Sequence, residues 1–109
     1  MGTVKICVHK MAKNPYFVEA TGTHLYSVEE LSYYLCENIY LVDDRIVGEK
    51  LYLWLEKELG LEALGEKLRN GRDSGNHVYN QVMTILNASE YYSEAELQAL
   101  SEKIKEISA

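Results

Sequence analysis

The chain has 109 residues, of which 47% are apolar and 26% charged. This length suits one domain, and the balance is that of a globular protein, which excludes a disordered chain. No stretch reaches the roughly 18 uncharged apolar residues that a membrane span requires. The net charge of −6 disfavours nucleic acid and anionic membranes as partners. Because the first residues lack a secretory signal pattern, we expect a cytoplasmic protein.

The N-terminal part of the chain predicts short extended segments. Residues 3–8 (TVKICV) alternate weakly and contain β-branched side chains, which favours a strand. Asn14-Pro15 predicts a turn, and residues 16–18 (YFV) a second extended segment, which Gly22 interrupts. We therefore expect a small β-hairpin or strand pair before the helices.

A repeated motif predicts two helix starts. Residues 26–31 read YSVEEL and residues 92–97 read YSEAEL. In each copy the serine can accept a hydrogen bond from the amide three residues on. The glutamate at that position can accept one from the serine's own amide. Ser27 and Ser93 are therefore predicted N-caps.

The first helix is predicted over residues 27–40 from apolar residues at helical spacing. Asp43 or Asp44 is the predicted N-cap of a second helix, which is apolar nearly all round and ends at Leu59. Gly60 suits the left-handed position that follows a helix end.

Three more helices are predicted in the remainder of the chain. A short one covers residues 61–68, and the polar stretch over residues 69–76 (RNGRDSGN) predicts a loop. Ser74 or Asn76 would cap the fourth helix, and the second copy of the repeated motif opens the fifth. The predicted fold is mainly α, a bundle of about five helices with a short N-terminal β-hairpin or strand pair, with an α+β fold as the alternative. We expect residues 1–109 to form a single domain, with an extended segment over 1–26 and a helical bundle over 27–109.

The fifth helix has no stop signal after it. Its apolar stripe consists of Leu97, Leu100, Ile104 and Ile107. Such a stripe suits a helix that continues into further sequence or lies on a partner. A terminal helix that folds back on its own bundle remains the alternative.

Histidine and cysteine provide candidate metal ligands. Cys7 and His9 would share one face of a strand, and Cys36, His24 or His77 could join them. The close pairs typical of structural zinc sites are absent, so we expect neither metal nor cofactor. A small metal-dependent protein stays an alternative, as does a Cys7–Cys36 disulfide if the protein is exported.

Residues 55–71 resemble a bacterial helix-turn-helix, with Gly60 in the turn. The supposed reading helix, residues 61–69, carries two acidic and two basic residues and therefore no net charge. A reading helix normally brings positive charge to phosphates. A DNA-binding regulator is the first alternative function.

Tyrosine is the unusual component of the composition, with nine copies against one Phe and one Trp. Tyrosine favours shallow burial and protein interfaces. No set of side chains has the spacing of a catalytic site. We therefore predict a non-enzymatic interaction or scaffolding module, whose partner is another protein, the C-terminal continuation of its own chain or a second copy. The candidate contact residues are Tyr33, Tyr52, Tyr91, Tyr92, Leu97, Leu100, Ile104 and Ile107.

Much of the chain also resembles an uncharacterised domain at the N-terminus of longer proteins in anaerobic gut Firmicutes. The likeness covers most of residues 5–68. It is carried by residues 14–19 (NPYFVE), 26–31 with 33–35 (YYL), 37–43 (ENIYLVD) and 54–61 (WLEKELGL). The resemblance implies no activity, cofactor or catalytic residue. It implies a leading domain that is followed by helical repeats of the tetratricopeptide type.

Overall fold

The computed structural model describes residues 11–73 and 78–108, without the side chains of residues 73, 107 and 108. These residues form a β-hairpin followed by five α-helices, which confirms the predicted fold class. The predicted strand over residues 3–8 and the caps at Ser74 or Asn76 lie outside the described residues. The elements are β1 (Tyr16–Val18), β2 (Thr23–Leu25), α1 (Val28–Glu37), a 3-10 turn (Ile39–Leu41), α2 (Glu49–Lys57), α3 (Glu62–Asp73), α4 (Val78–Ser89) and α5 (Glu94–Ser108).

The hairpin is antiparallel, with Tyr16 opposite Leu25 and Val18 opposite Thr23. Gly22 lies in the connecting turn at φ 64°, a left-handed conformation that glycine adopts without strain. The extended segment over residues 16–18 is therefore confirmed, and its partner is the stretch that directly follows Gly22.

The two copies of the repeated motif form helix starts that differ in one bond. At α5, the Glu96 amide donates to Ser93 Oγ at 3.2 Å and the Ser93 amide donates to Glu96 Oε1 at 3.0 Å. At α1, the Glu30 amide donates to Ser27 Oγ at 3.1 Å, as predicted. The carboxylate of Glu30, however, accepts from the Tyr26 amide at 2.7 Å, one residue earlier than predicted.

The second helix begins later than predicted, at Glu49 rather than after Asp43 or Asp44. The Asp43 carboxylate accepts from the Arg45 amide at 2.9 Å, so the aspartate stabilises a turn of its own. The chain is extended at Gly48 before α2 starts.

Beyond α2, Gly60 lies at φ 68° and the Leu61 amide donates to the Leu55 carbonyl at 2.9 Å. The bond closes the chain around Gly60 and confirms its predicted left-handed conformation, although α2 ends at Lys57 rather than at the predicted Leu59. The predicted loop over residues 69–76 is wrong for residues 69–73, which continue α3. Arg69 is held by two carboxylates of α2, and this contact stabilises a stretch whose glycine disfavours a helix.

The core lies between the helices. Within the described residues α2 packs most extensively on α3, and α4 packs on α1, α3 and α5. None of the helices in residues 11–73 and 78–108 is long and apolar enough to cross a membrane. The side chains without exposed surface at the centre are Leu31, Leu35, Ile39, Leu51, Tyr52, Leu55, Leu68, Val82, Ile85 and Leu86.

Candidate interaction surface

The hairpin presents one face to the core and one to solvent. Tyr16 and Val18 are buried, whereas Phe17 between them is 50% exposed. The ring of Phe17 contacts the exposed His24 ring on the neighbouring strand, with centroids 4.7 Å apart. The alternation of a strand therefore places an aromatic pair on the outer face of the sheet.

A groove of about 650 Å³ separates β1 from the segment that leads into α2. We call it the β1 groove. One wall is the continuous stretch of residues 16–20, and the other consists of Leu41, Asp43, Arg45, Ile46 and Lys50. Phe17 is 50% exposed and Leu41 52%, so each wall carries a large apolar side chain in contact with water.

Three contacts fix the wall formed by β1. The Tyr16 hydroxyl donates to the Ile46 carbonyl at 2.7 Å, and both residues line the groove. Trp54 Nε1 donates to the Asn14 carbonyl at 2.8 Å, and the Trp54 ring lies 5.6 Å from that of Tyr16. Burial raises the pKa of Tyr16 to about 12, so the hydroxyl stays a donor throughout the neutral range. The groove is therefore formed before any partner binds.

The charges of the groove are mixed. Arg45 donates to Asp43 Oδ2 from Nε at 3.0 Å and from Nη2 at 2.7 Å. These bonds lower the pKa of the Asp43 carboxyl, and the pair is largely exposed to solvent. Glu19 and Lys50 form no ion pair with another described residue. A bound segment would therefore meet apolar side chains together with charges of both signs.

The predicted tyrosines lie in different environments. Tyr33 is 56% exposed on α1 and does not line the β1 groove. Tyr91 and Tyr92 are half-buried and contact each other, with ring centroids 5.0 Å apart. Tyr52 has no exposed surface, so its assignment to a contact surface is corrected. The amino-acid composition alone cannot distinguish a tyrosine buried between helices from one exposed at the surface.

The stripe of α5 packs against the bundle. Leu97 and Leu100 are half-buried against the core and Ile104 is buried. The side chain of Ile107 lies outside the described part of the chain. Within the described part, α5 therefore folds back on its own domain, which is the alternative given above for the terminal helix.

Cys36 and Tyr92 line a smaller hollow of about 330 Å³ beside α5. Burial raises the pKa of the Cys36 thiol, and a hydrogen bond with Tyr92 lowers it in part. Burial also raises the pKa of Tyr92, with the contact to Cys36 as the next cause. Both groups are neutral at physiological pH, which makes this a packing contact rather than a reactive thiol.

The arginine on the supposed DNA-reading helix faces α2 rather than solvent. Arg69 donates to Glu49 at 2.9 Å and to Glu56 at 3.0 Å. The hydrogen bond to Glu56, followed by that to Glu49, raises the pKa of the guanidinium. The two carboxylates thus already neutralise the positive charge that would otherwise attract a phosphate.

Of the candidate metal ligands, Cys7, His9 and His77 lie outside the described residues. Cys36 faces the hollow beside α5, whereas His24 lies on the outer face of the hairpin. Among residues 11–73 and 78–108, no three His, Cys, Asp or Glu side chains are grouped so that they could hold a metal ion.

Comparison of the chain with protein-family models, with curated proteins and with solved structures found no match. The assignment of a function therefore depends on the geometry of the chain itself.

Sequence reasoning missed Phe17 and Leu41, the two large apolar side chains that line the β1 groove and are exposed. Alternation along residues 16–18 is a signal for Phe17, because burial of Tyr16 and Val18 turns the residue between them outward. Leu41 ends a 3-10 turn, and no sequence period marks it as exposed.

Proposed function

We propose that this chain is a non-enzymatic protein-interaction module whose partner binds in the β1 groove. The observation that carries the proposal is the pair Phe17 and Leu41, two large apolar side chains that are each about half exposed and that line the same groove. Apolar side chains that flank a preformed groove are typical of protein-binding sites. We place this interaction in the cytoplasm, as the sequence predicts.

Energetics favours the groove over a flat surface for binding. Burying the exposed half of a Phe or Leu side chain stabilises a complex by about 1 kcal/mol. The Tyr16–Ile46 hydrogen bond holds the walls in place, so little conformational entropy is lost when a partner binds. The mixed charges at the rim favour a partner that is apolar at its centre.

A selection experiment with matched variants tests the proposal. The full chain is used to select binders from a displayed library of random dodecamer peptides. The selected peptides are then titrated against F17S/L41S and against the control Y33S/L53S. The control removes a Tyr that is 56% exposed and a Leu that is 43% exposed, and neither lines the groove.

We expect F17S/L41S to weaken binding at least about tenfold and the control to change it less than about twofold. Circular dichroism of both variants checks that each is folded. Equal weakening by both variants, or a selection without binders that depend on Phe17 and Leu41, would contradict the proposal.

A further inference from the structure

The β1 groove runs along the edge of the strand rather than over one of its faces. Successive side chains of a strand point to opposite faces of a sheet. A cavity over one face would be lined by every second residue, but this groove is lined by all of residues 16–20. No residue of β2 lines it. The groove therefore follows the side of β1 that faces away from β2.

That side of β1 is an open edge in the described part of the chain. Among the described residues the sheet has two strands, and β1 pairs only with β2. None of the other backbone hydrogen bonds between described residues involves Tyr16 or Phe17. An edge strand carries N–H and C=O groups that its one neighbour cannot reach. In an antiparallel pair only alternate residues direct these groups away from the neighbouring strand, so within the described residues β1 can offer them to the groove at one or two of its three residues.

The open edge of β1 favours an extended conformation for a bound segment. The backbone groups of a helix are bonded within the helix, so a helix cannot pair with the edge of a strand. An extended chain repeats about every 3.3 Å, as β1 does, and its own backbone groups are free to pair. Building on the proposed function, we propose that the partner contributes an extended segment that adds a third strand along the open edge of β1.

The apolar walls decide which side chains that segment needs. β1 has three residues, so backbone pairing with so short an edge gives little affinity by itself. The rest of the binding affinity therefore comes from apolar side-chain contacts with the groove. Side chains of an added strand alternate, so those on one side lie toward Phe17 and those on the other toward Ile46 and Leu41. We therefore expect consecutive apolar residues at the centre of the bound segment.

N-methylation of the peptide backbone tests this mode of binding. The probe is the tightest dodecamer from the selection above, synthesised with one N-methyl group at each position in turn. In an added strand, alternate N–H groups point toward β1. Methylation of every second central residue should therefore weaken binding at least about tenfold, with less than about threefold loss at the positions between them.

A pattern without this period of two would overturn strand addition. The proposed function would survive that result if the F17S/L41S variant still loses binding and the Y33S/L53S control does not. If the selection yields no peptide that depends on the groove, both proposals fail together. The two experiments therefore separate the existence of the site from the conformation of its occupant.

Two further measurements examine other occupants of the edge. Sedimentation of the full chain should show a monomer, whereas a dimer dispersed by F17S/L41S would place a second copy there and overturn the proposal.

The variant Ile6→Pro should leave the affinity for the dodecamer unchanged within about twofold, because proline inside residues 3–8 affects only a strand formed there. Tightening of about tenfold would assign the edge to the chain's own first residues.

Discussion

The hydroxyl of Tyr52 on α2 donates to Oε1 of Gln81 on α4 at 2.6 Å, and both side chains are buried. Gln81 Nε2 in turn donates to the Leu68 carbonyl of α3 at 3.0 Å. One amide thus connects three helices. Because buried polar groups must be paired, this network specifies how the helices pack as well as stabilising them.

Removing the Tyr52 hydroxyl should destabilise the protein. Tyr52→Phe leaves Gln81 Oε1 buried without that donor, which costs about 1–2 kcal/mol of unfolding free energy. Tyr33→Phe is the matched control, because its hydroxyl belongs to an exposed side chain, and should change stability by less than about 0.5 kcal/mol. Urea unfolding measures both. Equal stability of the two variants would show that the Tyr52–Gln81 bond contributes nothing.

The two serine caps should differ in strength. Ser27 has no exposed surface, whereas Ser93 is exposed. We expect Ser27→Ala to cost about 1–2 kcal/mol and Ser93→Ala about 0.5–1 kcal/mol, because only the first leaves a buried vacancy beside the uncapped amide. Ser93→Thr keeps a capping oxygen and should lie close to the wild type. Chemical unfolding in urea ranks the three variants, and the reverse order would refute this account.

Gly60→Ala should destabilise the protein through the backbone alone. A Cβ at this position meets no atom within 4 Å, yet the residue lies at φ 68°. The expected cost is about 1 kcal/mol, the penalty of a left-handed conformation for an L-residue. Gly60→Asn should cost less, since asparagine tolerates this region better. Thermal unfolding by circular dichroism tests the order; an alanine variant as stable as the wild type would contradict it.

Tyr16 should make stability depend on alkaline pH. Burial raises its pKa in the folded chain from 10.0 to about 12. Folding therefore favours the neutral hydroxyl: the stabilisation is fully present below pH 10 and is lost as the pH rises toward about 12. Tyr16→Phe cannot ionise and also lacks the bond to the Ile46 carbonyl. It should be less stable than the wild type at neutral pH, and the difference should shrink across this window.

Urea titrations of both proteins at steps between pH 10 and about 12 check this expectation. Tyr52 and Tyr92 also have raised pKa values, but they are present in both proteins and cancel in the comparison. A constant difference between wild type and Tyr16→Phe over the whole window would mean that the phenol is accessible to solvent in the folded chain.

Features that depend on a few neighbouring residues were predictable. The caps at Ser27 and Ser93 and the left-handed Gly60 each involve bonds that span six residues or fewer. Even here one detail differed, because the Glu30 carboxylate accepts from Tyr26 rather than from Ser27. The start of α2 was less predictable, since Asp43 can stabilise either a helix or a turn and local propensity does not separate them.

The amino-acid sequence by itself determined the number of helices, their apolar faces and the presence of a hairpin, because hydrophobic period and capping chemistry act within a few residues. The tertiary structure alone decided that Arg69 continues a helix and that Phe17 and Leu41 meet at one groove. Arg69 and Glu49 are 20 positions apart, and Tyr16 reaches Ile46 across 30. Such contacts form only when elements far apart in the chain pack together, and no local pattern encodes them.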